Sequence, residues 1–220
     1  MPVIAFPSPS SPLGKSPVHP LLRWYTAAVI AWAMGGDVAA TAADTPTAAL
    51  QPIFNGRDLT GWRVSAGNCW RVEGHVLVGE SDTAQTGSML LTERAYGDVI
   101  VELEVRFREE IDSGIMLRQP EVQVQIGVSR SLKRDMTCSF YVGSYPEEAR
   151  AARAGELLAA GDWNRIRVAA RGDTFRVWLN GELVSTYTSA RHARPGPIGL
   201  QIHAGVPMKV EFRDIRALVP

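Results

Sequence analysis

The feature that most constrains this chain is a ten-residue stretch in which apolar and charged residues alternate. Residues 99–108 read VIVELEVRFR, so the odd positions are apolar and the even positions after Ile100 are glutamate or arginine. Because successive side chains of a β-strand point to opposite faces, this period of two predicts a long strand with one buried face. Strands of this kind need a second layer to cover their apolar faces, which favours two packed sheets.

Other parts of the chain repeat this pattern at short spacing. Asn180-Gly181 lies between two apolar stretches and predicts a tight hairpin, because both residues tolerate a positive φ. Residues 146–160 are rich in Ala, Glu and Arg and predict a loop with a short helix. The sequence therefore predicts an all-β antiparallel sandwich with one short helical loop insertion. Besides residues 99–108, strands are predicted at 70–79, 87–92, 113–118, 121–127, 138–143, 165–168, 174–179, 197–203 and 208–216.

The N-terminal part of the chain has a different composition. Residues 1–23 are rich in Pro and Ser, residues 24–34 form a short apolar run, and small residues follow at 40–42. A basic residue, a short apolar run and a small-x-small segment occur in this order in secretory signal peptides. A disordered Ala/Pro tail is the alternative. We predict a signal peptide with a Pro/Ser-rich extension over residues 1–43, a single domain over residues 44–220, and a periplasmic or secreted location.

The charge balance, the hydropathy and the cysteine content argue against several classes of protein. Lys plus Arg and Asp plus Glu each number 23, whereas nucleic-acid-binding proteins usually carry a basic excess. The chain lacks an apolar run of about 18 residues, which argues against a membrane span. Its two cysteines and four histidines fit no zinc-site spacing. Cys69 and Cys138 would be able to pair in an exported protein, and two buried free thiols are the alternative.

Two predicted strands carry polar side chains opposite their apolar faces. Glu121, Gln123 and Gln125 share one face of the first strand, and Gln201 and His203 share one face of the second. Amides and a carboxylate in a row offer the donors and acceptors that sugar hydroxyls need, and histidine suits proton transfer near neutral pH. A polar face in contact with solvent is the alternative. We expect all five side chains to face one hollow.

Charged and aromatic residues near these strands are further candidates. Arg118 ends one predicted strand, and Lys133 and Arg134 lie in a charged segment between the two strands. Their side chains suit an oxyanion or sugar hydroxyls, and solvated loops are the alternative. Tyr141 is a candidate for stacking on a sugar ring. The tryptophans near strand starts are interpreted as core residues, with sugar stacking as the alternative: Trp62, Trp70 and Trp163.

Eight segments in order resemble the 3-keto-disaccharide hydrolase family, whose members are also described as 3-keto-glucoside 1,2-lyases or hydratases. The first is residues 54–62, FNGRDLTGW, which is similar to the opening of the family's domain. The resemblance extends over about residues 52–217. The other seven segments are residues 70–74, 112–118, 124–126, 131–136, 162–164, 178–181 and 196–203.

The resemblance implies a concanavalin A-like jelly roll with a concave sugar-binding face, export, and action on 3-keto-glycosides that requires no nucleotide or redox cofactor. No metal ligand is assigned from the sequence. In that chemistry the ketone at C3 acidifies the hydrogen at C2, a base removes this proton, and the enediolate expels the C1 substituent before water adds. His203 is the first acid/base candidate and Glu121 the second. The implied oxyanion or hydroxyl donors are Arg118, Lys133 and Arg134, and the implied sugar contacts are Gln123, Gln125, Gln201 and Tyr141.

The sequence also departs from the family at two positions. Many relatives read YEVQI where this chain has residues 122–126, so that Gln123 replaces a carboxylate unless Glu121 supplies it two residues earlier. Cys138 stands where relatives commonly have glycine. Three functions stay open: an enzyme that cleaves 3-keto-glycosides, a non-catalytic glycan-binding module, and a structural or protein-interaction domain. The fold alone does not choose among them.

Overall fold

A computed structural model of the protein describes residues 49–220, and the predicted signal peptide over residues 1–43 lies outside the described residues. Within the described part, most residues lie in antiparallel strands. In chain order these strands are β1 (Gln51–Pro52), β2 (Trp62–Val64), β3 (Trp70–Glu73), β4 (Val76–Glu80), β5 (Ser88–Tyr96), β6 (Val99–Arg106), β7 (Asp112–Leu117), β8 (Val122–Ser129), β9 (Arg134–Asp135), β10 (Phe140–Tyr141), β11 (Asn164–Arg171), β12 (Thr174–Leu179), β13 (Glu182–Thr188), β14 (Gly196–Ile202) and β15 (Lys209–Leu218).

The strands form two sheets. Sheet I has the order β13-β12-β11-β6-β15-β4-β3, with β1 paired to β15. Sheet II has the order β10-β8-β7-β14-β5-β2, with β9 paired to β8. Neighbours in these lists that are distant in sequence, such as β6 with β15 and β7 with β14, show that the sheets are assembled by crossovers between them. This arrangement confirms the predicted antiparallel sandwich.

The core lies between the sheets and is built from the apolar half of each alternating strand. In sheet I, Leu103 and Val105 of β6 are fully buried, while Glu102 and Glu104 of the same strand face outward. In sheet II, Val122, Val124 and Ile126 of β8 are fully buried. The period of two in the sequence therefore assigns the correct face to each residue of these strands.

Two tight turns test the predicted ends of the strands: one agrees with the prediction and the other divides a predicted strand in two. Asn180 and Gly181 have φ values of 50° and 95° and connect β12 to β13, which confirms the hairpin. Residues 70–79, however, form two strands rather than one. Gly74 and His75 adopt φ values of 55° and 68°, and this turn reverses the chain between β3 and β4. The single-strand prediction missed a histidine in a backbone conformation that residues other than glycine seldom adopt.

The helical insertion is present but short. A 3-10 turn covers Glu147–Ala149, and the helix α1 covers Ala154–Leu157, both within the predicted loop. The strand predicted at residues 138–143 is reduced to β10, because Cys138 has a φ of 66° and interrupts the extended backbone. Both cysteines, Cys69 and Cys138, are buried free thiols, so the pairing considered from the sequence is not formed.

The described part of the chain contains no helix with the length and hydropathy of a bilayer crossing. The same residues 49–220 include no cluster of three or more His, Cys, Asp or Glu side chains placed to hold a metal ion.

Candidate functional site

The outer face of sheet II carries a hollow formed by two adjoining cavities. The larger, of about 420 Å³, is lined by Glu121 and His192, and the smaller, of about 150 Å³, is lined by Asp112 and His203. Both cavities share the side chains of Gln123, Tyr141 and Gln201. The structure therefore places along one hollow the five residues that were predicted to face it: Glu121, Gln123, Gln125, Gln201 and His203.

Three amides form a continuous row across the floor of this hollow. Nε2 of Gln123 donates to Oε1 of Gln125 at 2.7 Å and to Oε1 of Gln201 at 3.2 Å. Gln125 is 1% exposed and Gln123 9% exposed, so most of the row is shielded from water. Gln201 is less deeply buried and belongs to a different strand, β14. The row therefore connects β8 to β14 across the intervening strand β7.

Asp112 fixes the orientation of these amides. Its Oδ1 accepts a hydrogen bond of 2.9 Å from Nε2 of Gln125, and its Oδ2 accepts one of 3.0 Å from the backbone N–H of Arg130. A carboxylate only accepts, so Gln125 must turn its NH₂ group toward Asp112 and its oxygen toward Gln123. Gln123 in turn must donate. The donor and acceptor pattern that the floor offers to a ligand is thus determined by one buried carboxylate.

Gly114 makes room for the amide row. The residue lies opposite Gln125 in the β7–β8 register, and a Cβ at this position would come within 2.7 Å of Nε2 and 2.8 Å of Cγ of Gln123. Such distances are far below van der Waals contact. The absence of a side chain at residue 114 therefore lets Gln123 lie flat on the floor of the hollow.

His203 has the geometry of a general base. Its Nδ1 lies 2.7 Å from the backbone oxygen of Ala204. Because a carbonyl oxygen only accepts, Nδ1 carries the proton, and the lone pair is on Nε2. The side chain is partly exposed and lines the smaller cavity. An imidazole held in this tautomer is ready to take a proton from a bound molecule.

Tyr145 is a neutral hydrogen-bond donor in the same cavity. Burial raises the pKa of Tyr145 to about 12, opposed by a hydrogen bond with Ser129 and helped by the negative charge of Asp112. Its ring lies 4.9 Å from that of Tyr141, measured between centroids. At neutral pH this phenol keeps its proton, so it is able to donate to an oxygen that becomes negative.

Glu121 lies at the other end of the hollow, beside a histidine that the sequence did not single out. His192 is 6% exposed, and its Nδ1 lies 2.7 Å from the backbone oxygen of Pro120. This contact again places the proton on Nδ1. The rings of Phe175 and Tyr187 pack against the imidazole and hold its plane.

The two candidate acid/base residues are far apart. Gln123 is paired with Met116, and Met116 is paired with Gly199, so Gln123 and Gly199 lie at the same level of the sheet. Glu121 lies two residues from this level in one direction, and His203 lies four residues from it in the other. Six residues along a strand correspond to roughly 20 Å between the two backbones. Glu121 and His203 therefore do not act on the same carbon atom of a sugar.

Arg118 does not reach the hollow. Its side chain is 3% exposed and donates to Oδ1 of Asp98 at 2.7 Å and to the backbone oxygens of Ala193 and Gly172 at 3.1 and 3.3 Å. The guanidinium also lies 5.8 Å from the ring centroid of Phe175. These contacts join three loops at one end of the sandwich, which is a structural arrangement rather than contact with a ligand.

Lys133 and Arg134 also lie outside the hollow. Lys133 is exposed in a turn with a φ of 55° and lines neither cavity. Arg134 lines a separate depression together with Arg150 and Arg153. The backbone turns after β8 carry both side chains away from the amide row.

A family comparison gives this geometry its context. Residues 49–218 match the model of the 3-keto-alpha-glucoside-1,2-lyase-like domain, which is nearly the whole of the described chain. The chain belongs to this family. The match confirms the resemblance drawn from the sequence. Among curated proteins, none matches the chain significantly.

Solved structures with this fold include carbohydrate-active proteins. One, from Parabacteroides distasonis and provisionally described as a glycosyl hydrolase, has a TM-score of 0.61 at 19% identity, covering 79% of this chain and 100% of that chain. The β-glucanase of Bacillus licheniformis has a TM-score of 0.58 at 16% identity, covering 79% and 98%. A protein of unknown function with a galectin-like fold from Bacillus subtilis has a TM-score of 0.57 at 13% identity, covering 78% and 94%. These similarities confirm the predicted concanavalin A-like jelly roll.

Membership of the 3-keto-alpha-glucoside-1,2-lyase-like family identifies this chain as a carbohydrate-active domain. The departure at residue 123 is explained by the amide row, because Gln123 donates two hydrogen bonds that an ionised glutamate would be unable to make. Asp112 was present in a matching segment, and its place in the period of β7 would have indicated the hollow face. His192 lies in a 3-10 turn, Ala190–His192, where no periodic pattern signals its position.

Proposed function

We propose that this protein is an exported enzyme that cleaves the glycosidic bond of 3-keto-glycosides. The observation that carries the proposal is the smaller cavity, where the unprotonated Nε2 of His203 and the phenol of Tyr145 line the same space as the anchored amide row. A base and neutral donors on one wall are the groups that abstraction of a proton next to a ketone requires.

The proposed reaction begins at C2 of the 3-keto sugar. Nε2 of His203 removes the C2 proton, and the electron pair of that bond moves toward the C3 carbonyl to form an enediolate. The electrons then return to form a C1=C2 double bond while the C1–O bond breaks, and the departing oxygen takes a proton from the His203 imidazolium. Water finally adds across C1=C2, with its hydroxyl on C1 and its proton on C2, and releases the 3-keto sugar.

Neutral donors suit the charge that develops in this sequence. The enediolate oxygen is negative only in the intermediate, so a donor that is already in place stabilises the reaction without rearranging. Tyr145 stays protonated because its pKa is raised to about 12. The NH₂ group of Gln201 is also available, since the oxygen of that amide is occupied by Gln123.

Glu121 and His192 take a different role in this proposal. Glu121 lies roughly 20 Å along the strand direction from His203. Glu121 and His192 therefore contact the far end of the substrate and not the reacting sugar. The larger cavity of about 420 Å³ accommodates the group attached at C1. Binding energy gained there positions the reacting ring near His203.

The decisive experiment is incubation of the purified domain with a 3-keto-disaccharide, with the products followed by mass spectrometry. Release of a 3-keto-hexose by the wild type, with loss of that release in His203→Ala, supports the proposal. His75→Asn is the matched control, because His75 is exposed and bonded to Gly56 outside the hollow. Saturable sugar binding without product would instead support a glycan-binding module and would contradict the enzyme proposal.

Export is a separate part of the proposal and rests on residues 1–43. The order of a basic residue, a short apolar run and small residues at 40–42 supports it. Expression of the full chain in a bacterium, followed by fractionation and N-terminal sequencing, tests it. A periplasmic protein that begins near residue 43 is expected, whereas an uncleaved cytoplasmic protein would contradict export.

A further inference from the structure

A second cavity on the opposite face of the sandwich lies on the outer surface of sheet I. It has a volume of about 510 Å³ and is lined by Trp163 and Trp178 with charged side chains between them. A volume of this size is within the range of ligand-binding clefts. We call it the outer groove. Trp163 was interpreted from the sequence as a core residue, but the structure places it, partly exposed, on this surface.

The floor of the outer groove is built from paired charges. Arg167 bonds to Oε2 of Glu102 at 2.7 Å, and Arg165 bonds to Oε1 of Glu104 at 3.0 Å. Oε2 of Glu104 also bonds to Arg213 at 2.7 Å, so these carboxylates and guanidinium groups all have partners of opposite charge. A floor whose charges are already paired gains little from an added ion, and it matches a neutral ligand that offers many hydroxyl groups.

The paired charges keep spare hydrogen-bonding capacity. Both Nε and Nη2 of Arg167 bond to Oε2 of Glu102, which leaves Oε1 without a partner among residues 49–220. Arg165 uses its Nη2 for Glu104, and a guanidinium carries five N–H donors. Neutral hydroxyls are able to use both the unbonded carboxylate oxygen and the unused N–H groups.

The two tryptophans are held rigidly at the two ends of the outer groove. The ring centroid of Trp163 lies 4.5 Å from the guanidinium of Arg106 and 4.1 Å from that of Arg213. Trp178 packs against the small apolar cluster of Ile100, Ala169 and Leu218. A rigid indole loses little freedom on binding, and its apolar face suits the C–H face of a pyranose ring.

The length of the outer groove indicates more than one sugar ring. Arg167 of β11 is paired with Trp178 of β12, and Trp163 precedes Arg167 by four residues. Four residues of extended chain correspond to roughly 13 Å. We propose that the outer groove binds a neutral oligosaccharide, with one indole at each end, independently of the reaction proposed for the hollow.

The test uses the domain with cellohexaose, maltohexaose and laminarihexaose in isothermal titration calorimetry. We expect at least one to bind, and Trp178→Leu and Trp163→Leu each to weaken that binding about tenfold or more. Leucine keeps the apolar cover over Ile100, so thermal unfolding should confirm that the Trp178 variant is folded. Trp163→Leu provides a second test at a residue whose ring lies against the guanidinium groups of Arg106 and Arg213.

Two controls make the test decisive. Leu183→Ala removes an exposed side chain opposite Trp178 on β13 that does not line the outer groove, and it should leave affinity unchanged. Gln201→Ala alters only the hollow and should also leave it unchanged. No binding of any of the three sugars, or binding that survives both tryptophan variants, overturns the proposal. Binding lost in Gln201→Ala places the sugar in the hollow and likewise overturns it.

Discussion

The carboxylate of Asp112 and the amide of Gln125 are joined by a hydrogen bond of 2.9 Å at the buried end of the amide row. The other carboxylate oxygen accepts from the backbone N–H of Arg130 at 3.0 Å. Every amide beyond this point takes its orientation from that first acceptor. The order Asp112, Gln125, Gln123, Gln201 is therefore a directed chain rather than a set of separate contacts.

Replacing Asp112 by asparagine should break this order. Asn offers one oxygen and one NH₂ group where two acceptors are needed, so one buried donor loses its partner. We expect a loss of about 1–3 kcal/mol in the free energy of unfolding, measured by chemical denaturation. Asp135→Asn is the matched control, because a single oxygen, Oδ1 of Asp135, accepts both bonds from Thr137. Equal losses in the two variants would contradict the directed chain.

Gln123→Glu, which restores the carboxylate common in the family, should be unfavourable in this chain. An ionised glutamate is unable to donate to Gln125, and Gln125 is unable to turn because its NH₂ group serves Asp112. We expect about 1–3 kcal/mol of destabilisation, measured by urea denaturation. Gln201→Glu should cost less, since that residue accepts from Gln123. A Gln123→Glu variant as stable as the wild type would contradict this expectation.

The separation of Glu121 and His203 should appear in enzyme kinetics. With a 3-keto-disaccharide as substrate, His203→Ala should lower kcat about a hundredfold or more, as expected for the loss of a general base. Glu121→Gln should mainly raise KM, because that side chain contacts the far end of the substrate. A fall in kcat for Glu121→Gln as large as that for His203→Ala would show that the two residues act together.

Tyr145 should make the domain sensitive to alkaline pH. Its pKa is raised from the ordinary value of 10.0 to about 12 by burial and by the negative charge of Asp112. The folded state therefore favours the neutral phenol; this stability is complete below pH 10 and is lost as the pH rises through 12. Denaturation between these pH values should show a fall in the free energy of unfolding that is smaller in Tyr145→Phe. An identical pH dependence in both proteins would refute this assignment.

The two thiols should be unreactive in the native protein. Cys69 and Cys138 are 1% and 0% exposed, and burial, with a contribution from Asp135, raises the pKa of Cys138. A thiol-specific reagent whose reaction product absorbs light should therefore detect no thiol in the folded protein and two thiols after denaturation. If no thiol is detected after denaturation without a reductant, the two cysteines form a disulfide. That result would contradict the structure, in which both are free thiols.

The sandwich could be predicted from the sequence because alternation encodes the face of each residue directly. Val99, Leu103 and Val105 are all buried where the period of two places them. The turn at His75 could not be predicted, since it depends on a positive φ at a residue without a strong preference for it. Local pattern fixes which side of a strand is buried, while the end of a strand depends on turns that tertiary contacts stabilise.

The polar face of the site was predictable for the same reason, but its limits were not. Gln123, Gln125 and Gln201 meet because β7 lies between β8 and β14, an order that no local pattern reveals. The alternation of β7 would place Arg118 on the same face, yet a φ of 65° turns this residue out of the strand and toward Asp98. His192 reaches the hollow from a loop distant in sequence. Residues of this kind become visible only once the chain is folded.

The bare backbone at Gly114 has a consequence for substrate choice. A single methyl group added there would push the Gln123 amide away from the floor of the hollow, toward the substituent that a bound sugar ring places over it. Gly114→Ala thus offers protein engineers a small, local means of making the pocket shallower. Relatives that vary at the equivalent position would be expected to discriminate between sugar epimers, because an axial and an equatorial hydroxyl differ in how much depth they need.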